Sequence, residues 1–395
     1  MNICKASKQS DSLSFITFLR GSAALIVVFS HLLFMFWNGA GTVGSIWPFL
    51  QTTIAPNGLL VPEANVLLAR LQINFGSVGV SMFFLISGFL IKGSIQKYQK
   101  PGVFLLAKTM RIFPLYIIGF SITFGCVWLY TYFHHQDFPY TSMDWVTQVT
   151  LLRRVLNQPC IDQISWTLVA DVQFYCLIAI LMCFRRTFVT DMVKTGICLT
   201  LLSVICGLTM NRTLNAGLII IYRIEAIIIL ASFCLTFMLL GGVLFEVYKG
   251  KIDRSQIFAS CLILYSCFVI CCFVYNTDAM VFVVPYTFSL FVFVACMMLF
   301  RSGHCKRLFQ NKIIKGVAKI SYPLYIIHGL NGYVLETALY QAGVKNLITF
   351  LLTLGAAFIL AILLHYLGEK PLANLSKKIL SHIIGRTNKR AELTN

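Results

Sequence analysis

The chain has 395 residues, of which 58% are apolar and only 12% are charged, and its formal net charge is +18. Stretches of about 20 nearly uncharged residues recur along it, which is the length that an α-helix needs to cross the hydrocarbon core of a membrane. These features exclude an ordinary soluble protein and indicate a polytopic membrane protein.

The apolar stretches predict an all-α protein with about ten transmembrane helices. In chain order, the predicted spans are residues 13–37, 73–95, 111–133, 164–184, 191–210, 226–248, 256–275, 281–300, 318–341 and 346–369. The segment 216–225, which carries two charges within an apolar run, is interpreted as an interfacial or re-entrant piece. Residues 1–375 are expected to form one integral membrane domain, and residues 376–395 a basic cytoplasmic tail.

The distribution of basic residues predicts the orientation in the membrane. With ten spans both termini share one side, and 25 of the 32 lysines and arginines fall on that side, against six in the loops of the other side. Because short cytoplasmic loops retain lysine and arginine, both termini are expected in the cytoplasm. The net charge then marks topology and does not indicate nucleic-acid binding.

The 14 cysteines lie mostly inside predicted spans, where they are expected to serve as small packing residues. No CxxC pair, metal-ligand spacing or glycine-rich phosphate loop occurs in a loop that could present one, so no metal is expected. The first apolar run is too long for a signal peptide and lacks a small-residue cleavage site. It is expected to remain as the first transmembrane helix.

Two ionisable residues lie in the first predicted span. Arg20 and His31 are eleven residues apart, about three helical turns and a rise of about 16.5 Å, so they are expected to share one face. Ionisable side chains in hydrocarbon cost about 2.5 to 3.5 kcal/mol on insertion scales, which favours a functional role. The alternative is that Arg20 reaches lipid phosphates and His31 hydrogen-bonds a neighbouring helix.

The third and fourth predicted spans carry further charges. The stretch "FLLAKTMRIFPLY" places Lys108 and Arg111 at the inner interface and Pro114 in the first turn of the third span. Ordinary positive flanking is the structural alternative there. The fourth span opens with "SWTLVADVQFY", in which Asp171 lies about 10 Å below the outer end. A lone carboxylate at that depth is expected to be paired, protonated or functional.

The last two predicted spans also carry polar residues. In "KISYPLYIIHG" at the start of the ninth span, Ser321, Tyr325 and His328 line one face, where interhelical hydrogen bonding is the structural alternative. In "LHYLGEKPL" at the end of the tenth span, His365 and Glu369 lie one turn apart, and Pro371 is expected to end the helix.

Taken together and in this order, these segments resemble the type-3 membrane acyltransferase family, over about residues 13–375. The resemblance rests on Arg20 and His31 with ten residues between them, on "GVSMFFLISGFLI", on the basic stretch ending "RIFPLY", on "SWTLVADVQFY", on "SYPLYIIHG" and on "EKP". The family usually has glutamate where Asp171 stands. Aspartate keeps the charge but shortens the reach of the carboxylate by one methylene.

The resemblance implies that an acyl group, most often acetyl, passes from cytoplasmic acyl-CoA to a hydroxyl of a glycan at the outer face of a bacterial inner membrane. It implies that Arg20, Lys108 and Arg111 hold the phosphates of coenzyme A, to which arginine can donate two hydrogen bonds at once. His31 would act as a general base, or as a nucleophile that forms an acyl-imidazole. Asp171 would orient that imidazole or stabilise its charged form.

The resemblance also implies supporting or substrate-contacting roles for Trp166, Tyr325, His328 and Glu369. Acetyl-CoA would be the donor, and the acceptor would be a surface polysaccharide such as lipopolysaccharide O-antigen, capsule or exopolysaccharide, in some cases as a lipid-linked glycan. The surrounding partners would be membrane lipids, with no nucleic acid involved.

A different class of function stays open at this point. In a secondary transporter or a flippase for lipid-linked glycans, Arg20, His31 and Asp171 would line a proton or substrate pathway. Transporters often show inverted repeats and paired broken helices, and the sequence shows no internal repeat.

Overall fold

The computed structural model describes residues 13–38, 40–50, 74–156, 158, 160–184, 188–250, 253–303 and 305–392. All regular secondary structure within these ranges is helical. Nine helical segments in this part of the chain are long and apolar enough to cross a membrane. This confirms the prediction of an all-α polytopic membrane protein.

The principal helices are named here in chain order. They are α1 (Ser14–Phe29), α2 (Phe75–Phe89), α3 (Ile91–Tyr98), α4 (Pro101–Phe133), α5 (Ser142–Val149), α6 (Ser165–Met182), α7 (Phe188–Asn215), α8 (Ile219–Lys249), α9 (Arg254–Tyr275), α10 (Met280–Arg301), α11 (Lys312–Ile327), α12 (Gly329–Gln341), α13 (Asn346–Leu364) and α14 (Lys370–Glu392). Two π-helical turns, Ser30–Met35 and His365–Glu369, follow α1 and α13.

The chain folds into two compact units. The first unit consists of Met1–Ile86 and Asn276–Ala357, and the second consists of Ser87–Tyr275 and Phe358–Asn395. One boundary falls inside α2 and another inside α13, so each of these two helices contributes to both units.

In the first unit, α1 packs along α11 at close range. A Cβ added to Gly21 would lie 2.4 Å from the carbonyl oxygen of Ile314, so only glycine fits this approach. Small residues of α2 also permit close packing: an added Cβ on Gly79 would lie 2.4 Å from Val27, and the Ser81 hydroxyl donates to the Ser289 hydroxyl at 2.6 Å. The small-residue pattern in α2 therefore serves helix packing.

In the second unit, α8 packs against α7, α9 and α6 and is buried along most of its length. The sixth predicted span was placed to begin at residue 226, and a side chain of α8 explains why that start is wrong. Glu225 accepts hydrogen bonds from the hydroxyls of Thr209 and Thr213, both at 2.6 Å. Because α7 satisfies this carboxylate, α8 begins at Ile219 as one continuous helix, and the predicted interfacial piece at 216–225 is wrong from that residue onward.

The start of the third span was also predicted wrongly. Helix α4 begins at Pro101 and not near residue 111, and Pro114 lies inside the helix. Pro101, and not Pro114, occupies the first turn, where a missing N–H is tolerated. Consequently Lys108 and Arg111 project from the body of α4.

The ninth and tenth predicted spans differ in their continuity. The ninth is divided at His328 into α11 and α12, neither of which is long enough to cross a membrane alone. The tenth continues beyond Pro371 through the π turn into α14, which packs against α4. In a π turn the backbone hydrogen bonds shift by one residue relative to an α-helix. The missing N–H of Pro371 therefore costs the helix little at this place. The predicted tail is thus helical as far as Glu392.

The predicted orientation can be tested with an exposed native cysteine. Cys305 lies in the basic loop after α10, and Asp137 is exposed in the loop after α4. We expect a membrane-impermeant maleimide to label an Asp137→Cys variant in intact cells, and to label Cys305 only after permeabilisation, because basic loops stay in the cytoplasm. Labelled sites would be located by peptide mass spectrometry. Labelling of Cys305 in intact cells would contradict the orientation.

Candidate functional site

Two helices of the first unit bring a histidine pair together. The His31 Nδ1 atom lies 2.9 Å from the His328 Nε2 atom, although 297 residues separate them, and the two ring planes are 13° apart. His328 is fully buried, whereas His31 is half-buried. The Nδ1 atom of His328 in turn lies 2.9 Å from the carbonyl oxygen of Leu324. One imidazole is therefore held by the next, and the second is held by the backbone.

Irregular backbone surrounds both histidines. His31 is the second residue of the π turn Ser30–Met35, and His328 is the junction between α11 and α12. π turns inside α-helices occur frequently at functional sites, because they widen the helix and reorient side chains. Immediately beyond the pair, a Cβ added to Gly332 would lie 2.4 Å from a Leu32 methyl carbon. Glycine at this position allows α12 to approach the π turn.

Tyr325 supports the histidine pair through ring packing. Its ring centroid lies 5.8 Å from that of His328 and 6.0 Å from that of Phe83. Ser321 shares the buried face of α11, but its hydroxyl donates to the Ala318 carbonyl in its own helix. The predicted polar face is therefore present, and its histidine forms a hydrogen bond with another helix.

A group of charged side chains forms in the second unit. The Lys108 ammonium is buried, donates to the Ser94 hydroxyl at 3.0 Å and lies 4.6 Å from the centroid of the Tyr175 ring. Arg111 is exposed one turn further along α4 and lies within electrostatic range of Lys108. Asp171 on α6 accepts a hydrogen bond from Ser87 and interacts with both cations.

The Asp171 carboxylate is only partly satisfied. Its Oδ1 atom is buried and has no hydrogen-bond partner among the described residues. Lys97 also lies within electrostatic range of Lys108, so the group contains three cations and one carboxylate, of which Lys108 and Arg111 interact with Asp171 directly. The excess positive charge makes this group, defined as the basic cluster of Lys97, Lys108 and Arg111, suitable for binding an anion such as phosphate.

A buried network fixes the start of α6 and hence the position of Asp171. Asp162 accepts from the Tyr116 hydroxyl at 2.9 Å, and from the backbone N–H and hydroxyl of Ser165 at 3.1 and 2.8 Å. Gln148 donates to the same tyrosine and serine hydroxyls at 2.9 and 2.7 Å. All four side chains are buried. This network anchors the N-terminal end of α6, six residues before Asp171.

Cys160, beside this network, is not a nucleophile at neutral pH. Burial, with a further contribution from the charge of Asp162, raises the pKa of the Cys160 thiol to about 12. A protein thiol reacts as its thiolate, so Cys160 stays protonated and inert.

The remaining predicted residues lie at separate places. Arg20 is partly exposed on α1 in the first unit, whereas Lys108 and Arg111 belong to the second, so their convergence on one ligand stays a prediction. The same holds for the pairing of His31 with Asp171. Trp166 is partly exposed in the first turn of α6. Glu369 pairs with His365 in the second π turn, as its spacing suggested.

Sequence reasoning missed a second buried carboxyl. Glu336 on α12 is fully buried, and neither of its oxygens has a hydrogen-bond partner among the described residues. The indole nitrogen of Trp37 approaches this carboxyl without reaching hydrogen-bond geometry. Glu336 lies within the predicted ninth span, so the cost of burying a charge, which singled out Asp171, applies equally to it.

Glu336 and Glu225 should respond differently to replacement by leucine. Glu225→Leu is expected to destabilise the protein by about 1.5 to 3 kcal/mol, the range for a hydrogen bond to a charged group, because the Thr209 and Thr213 hydroxyls lose the carboxylate and keep only backbone carbonyls of α7 as acceptors. Glu336→Leu is expected to be neutral or stabilising, since it removes a buried carboxyl without donors. Thermal unfolding of the two purified variants would compare them. A larger loss for Glu336→Leu would show that its carboxyl is engaged.

Among the described residues, no group of three or more histidine, cysteine, aspartate or glutamate side chains could hold a metal ion. The helical membrane fold instead presents a paired imidazole suited to proton or acyl transfer, and a separate basic cluster suited to an anion. These two features are compatible with a membrane-embedded transferase and also with the proton or substrate pathway of a transporter.

Comparison with known families identifies the class more closely. A family profile described as an acyltransferase domain matches residues 13–366. The chain therefore belongs to the type-3 acyltransferase family and is a multi-pass membrane acyltransferase. No curated protein and no solved structure gave a significant match to the chain.

Proposed function

We propose that the protein transfers an acetyl group from acetyl-CoA in the cytoplasm to a hydroxyl of a bacterial surface polysaccharide. The observation that carries the proposal is the His31–His328 pair, a half-buried imidazole held by a hydrogen bond at its Nδ1 atom. In a chain of the acyltransferase family, such an imidazole is suited to activate a hydroxyl or to accept the acyl group itself.

The donor side is assigned to the basic cluster. Its positive charge exceeds that of the one carboxylate beside it, and the phosphates of coenzyme A would neutralise the excess. The exposed Arg111 is suited to the outermost contact, because a guanidinium donates two parallel hydrogen bonds to one phosphate. The role of Arg20 in donor binding stays a prediction from the sequence.

The reaction breaks the thioester C–S bond and forms an ester C–O bond. If His31 acts as a base, it takes the proton of the acceptor hydroxyl and returns it to the departing thiolate of coenzyme A. If it acts as a nucleophile, its lone pair attacks the thioester carbonyl and expels the thiolate of coenzyme A. The acceptor hydroxyl then attacks the acyl-imidazole, the imidazole departs, and the hydroxyl proton passes to the thiolate. Both routes yield the same ester and the same free thiol.

The acceptor and the membrane follow from the proposed orientation. With both termini in the cytoplasm, the donor site faces the cytoplasmic pool of acyl-CoA, and the acceptor meets the acyl group from the outer side. We place the protein in the bacterial inner membrane, acting on O-antigen, capsule or exopolysaccharide, free or lipid-linked. Family membership favours this function over the transporter or flippase alternative.

The direct test incubates purified protein with radiolabelled acetyl-CoA and polysaccharide from the host strain. Label is expected in the glycan as an alkali-labile ester, and none without protein. Coenzyme A alone should raise the melting temperature, by an amount equivalent to about 2.7 kcal/mol at 100 times its dissociation constant. Acyl-CoA of longer chain tests the specificity for acetyl. Absence of both label transfer and stabilisation would contradict the proposal.

A further inference from the structure

The hydrogen-bond chain that ends at His31 has a direction set by the backbone. The Leu324 carbonyl can only accept hydrogen bonds, and it receives one from the His328 backbone N–H at 3.1 Å and lies 2.9 Å from the His328 Nδ1 atom. A carbonyl oxygen has two lone pairs and can hold both contacts. The proton on the His328 ring must therefore be at Nδ1.

A neutral His328 ring then has a bare Nε2 atom. The ring is fully buried, and no carboxylate forms an ion pair with it among the described residues. An unpaired imidazolium would be costly to bury in such a place, so the neutral ring is the stable form. Its Nε2 atom lies 2.9 Å from the His31 Nδ1 atom and can only accept, so His31 Nδ1 must carry the donated proton.

We propose that His328 is a positioning residue that fixes the tautomer of His31. With Nδ1 of His31 protonated and bound to His328, the lone pair of His31 lies at Nε2, which is outside the pair. Nε2 is thus the atom that takes the hydroxyl proton or attacks the thioester, whichever role His31 plays. The inference rests on the proposed function for its kinetic consequence, but the tautomer itself is a property of the resting protein.

The same contact acts during the reaction. When Nε2 of His31 binds a proton or an acyl group, the ring becomes positively charged, and its Nδ1–H becomes a stronger donor to His328. A neutral imidazole thereby stabilises the charged intermediate, as the third member of a catalytic triad does. The His328 ring is itself kept from rotating by the Leu324 carbonyl and by packing against Tyr325.

Two substitutions at His328 separate positioning from packing. In His328→Gln the amide oxygen can accept from His31 Nδ1 in place of Nε2, whereas His328→Leu fills the space without an acceptor. We expect His328→Leu to lower kcat by about 10² or more, since a wrong tautomer in a Ser-His-Asp triad costs more than this. We expect His328→Gln to keep at least about ten times the kcat of the leucine variant, with the donor KM unchanged in both.

A role in packing alone predicts the opposite order, because leucine suits an apolar site better than glutamine. Stabilisation by coenzyme A would verify that each variant is folded. A folded His328→Leu protein with kcat near that of the wild type, or a leucine variant more active than the glutamine variant, would overturn the proposal.

Nitrogen-15 NMR of protein with labelled imidazoles tests the tautomer without any turnover. The chain has seven histidines, and the His31 signals are identified as those lost in His31→Gln. We expect protonated Nδ1 and bare Nε2 in the wild type, and a shift towards protonated Nε2 in His328→Leu. A protonated Nε2 in the wild type would refute the inference even if acyl transfer were confirmed. If the protein gave the expected spectrum but transferred no acyl group, only the proposed function would be contradicted.

Discussion

Replacing His31 with alanine is expected to lower the rate of acyl transfer by at least about 10², the usual worth of a general base. The reason is geometric: His31 is the half-buried member of the pair, and its partner His328 is buried and bound to backbone. The variant should still insert into the membrane and be stabilised by coenzyme A, because the basic cluster is unchanged. Label transfer at saturating acetyl-CoA measures the effect.

The matched control for His31 is His382, an exposed histidine of α14. His382→Ala removes an imidazole from the same chain and should leave the transfer rate unchanged. Near-normal transfer by a folded His31→Ala protein, with Asp171→Asn inactive and folded, would move the chemistry away from the histidine pair.

Arg111→Gln is expected to raise the KM for acetyl-CoA by about 10-fold or more and to leave kcat at saturation largely unchanged. A charge-assisted hydrogen bond to phosphate is worth about 1.5 to 3 kcal/mol, and Arg111 is the exposed guanidinium of the basic cluster. The effect should diminish at high salt, since screening weakens exposed charges. Donor saturation curves at two ionic strengths measure both quantities.

Arg212→Gln is the control for Arg111, because Arg212 is also an exposed arginine but lies in the last turn of α7. It should leave the donor KM unaltered. If both variants behave alike, the basic cluster has no special part in donor binding. Replacing Lys108 is less informative, because its loss would remove one of the two cations that interact with the buried Asp171 carboxylate and would so combine an effect on stability with one on donor binding.

The sequence was sufficient for features that depend on local composition. Runs of about 20 apolar residues predicted the spans, since backbone groups in lipid must be satisfied within a helix. Residues inside those runs that are costly to bury, His31 and Asp171, were found by the same reasoning. The family followed from motif order, and its profile confirms it.

Features that depend on a partner helix were not predictable in this way. The start of α8 at Ile219 depends on two threonines of α7 that accommodate Glu225. The hydrogen bond between His31 and His328 depends on the approach that Gly332 permits, which no local pattern encodes. Glu336 was within reach of sequence reasoning, because it is a lone carboxyl in an apolar span just as Asp171 is, and it was missed.

The π turn after α1 adds one residue to the first span at Ser30–Met35. From Arg20 to Phe29 the chain forms a regular α-helix, so the directions of its side chains do not depend on the turn that follows. A π turn holds one residue more than an α turn, and each residue of an α-helix accounts for about 100° of rotation. Deleting one residue between Leu33 and Met35 would restore the α register. It would leave the helix on either side of the turn facing as it does now, with Trp37 still beside Glu336, and would change the direction only of residues within the turn, where His31 lies.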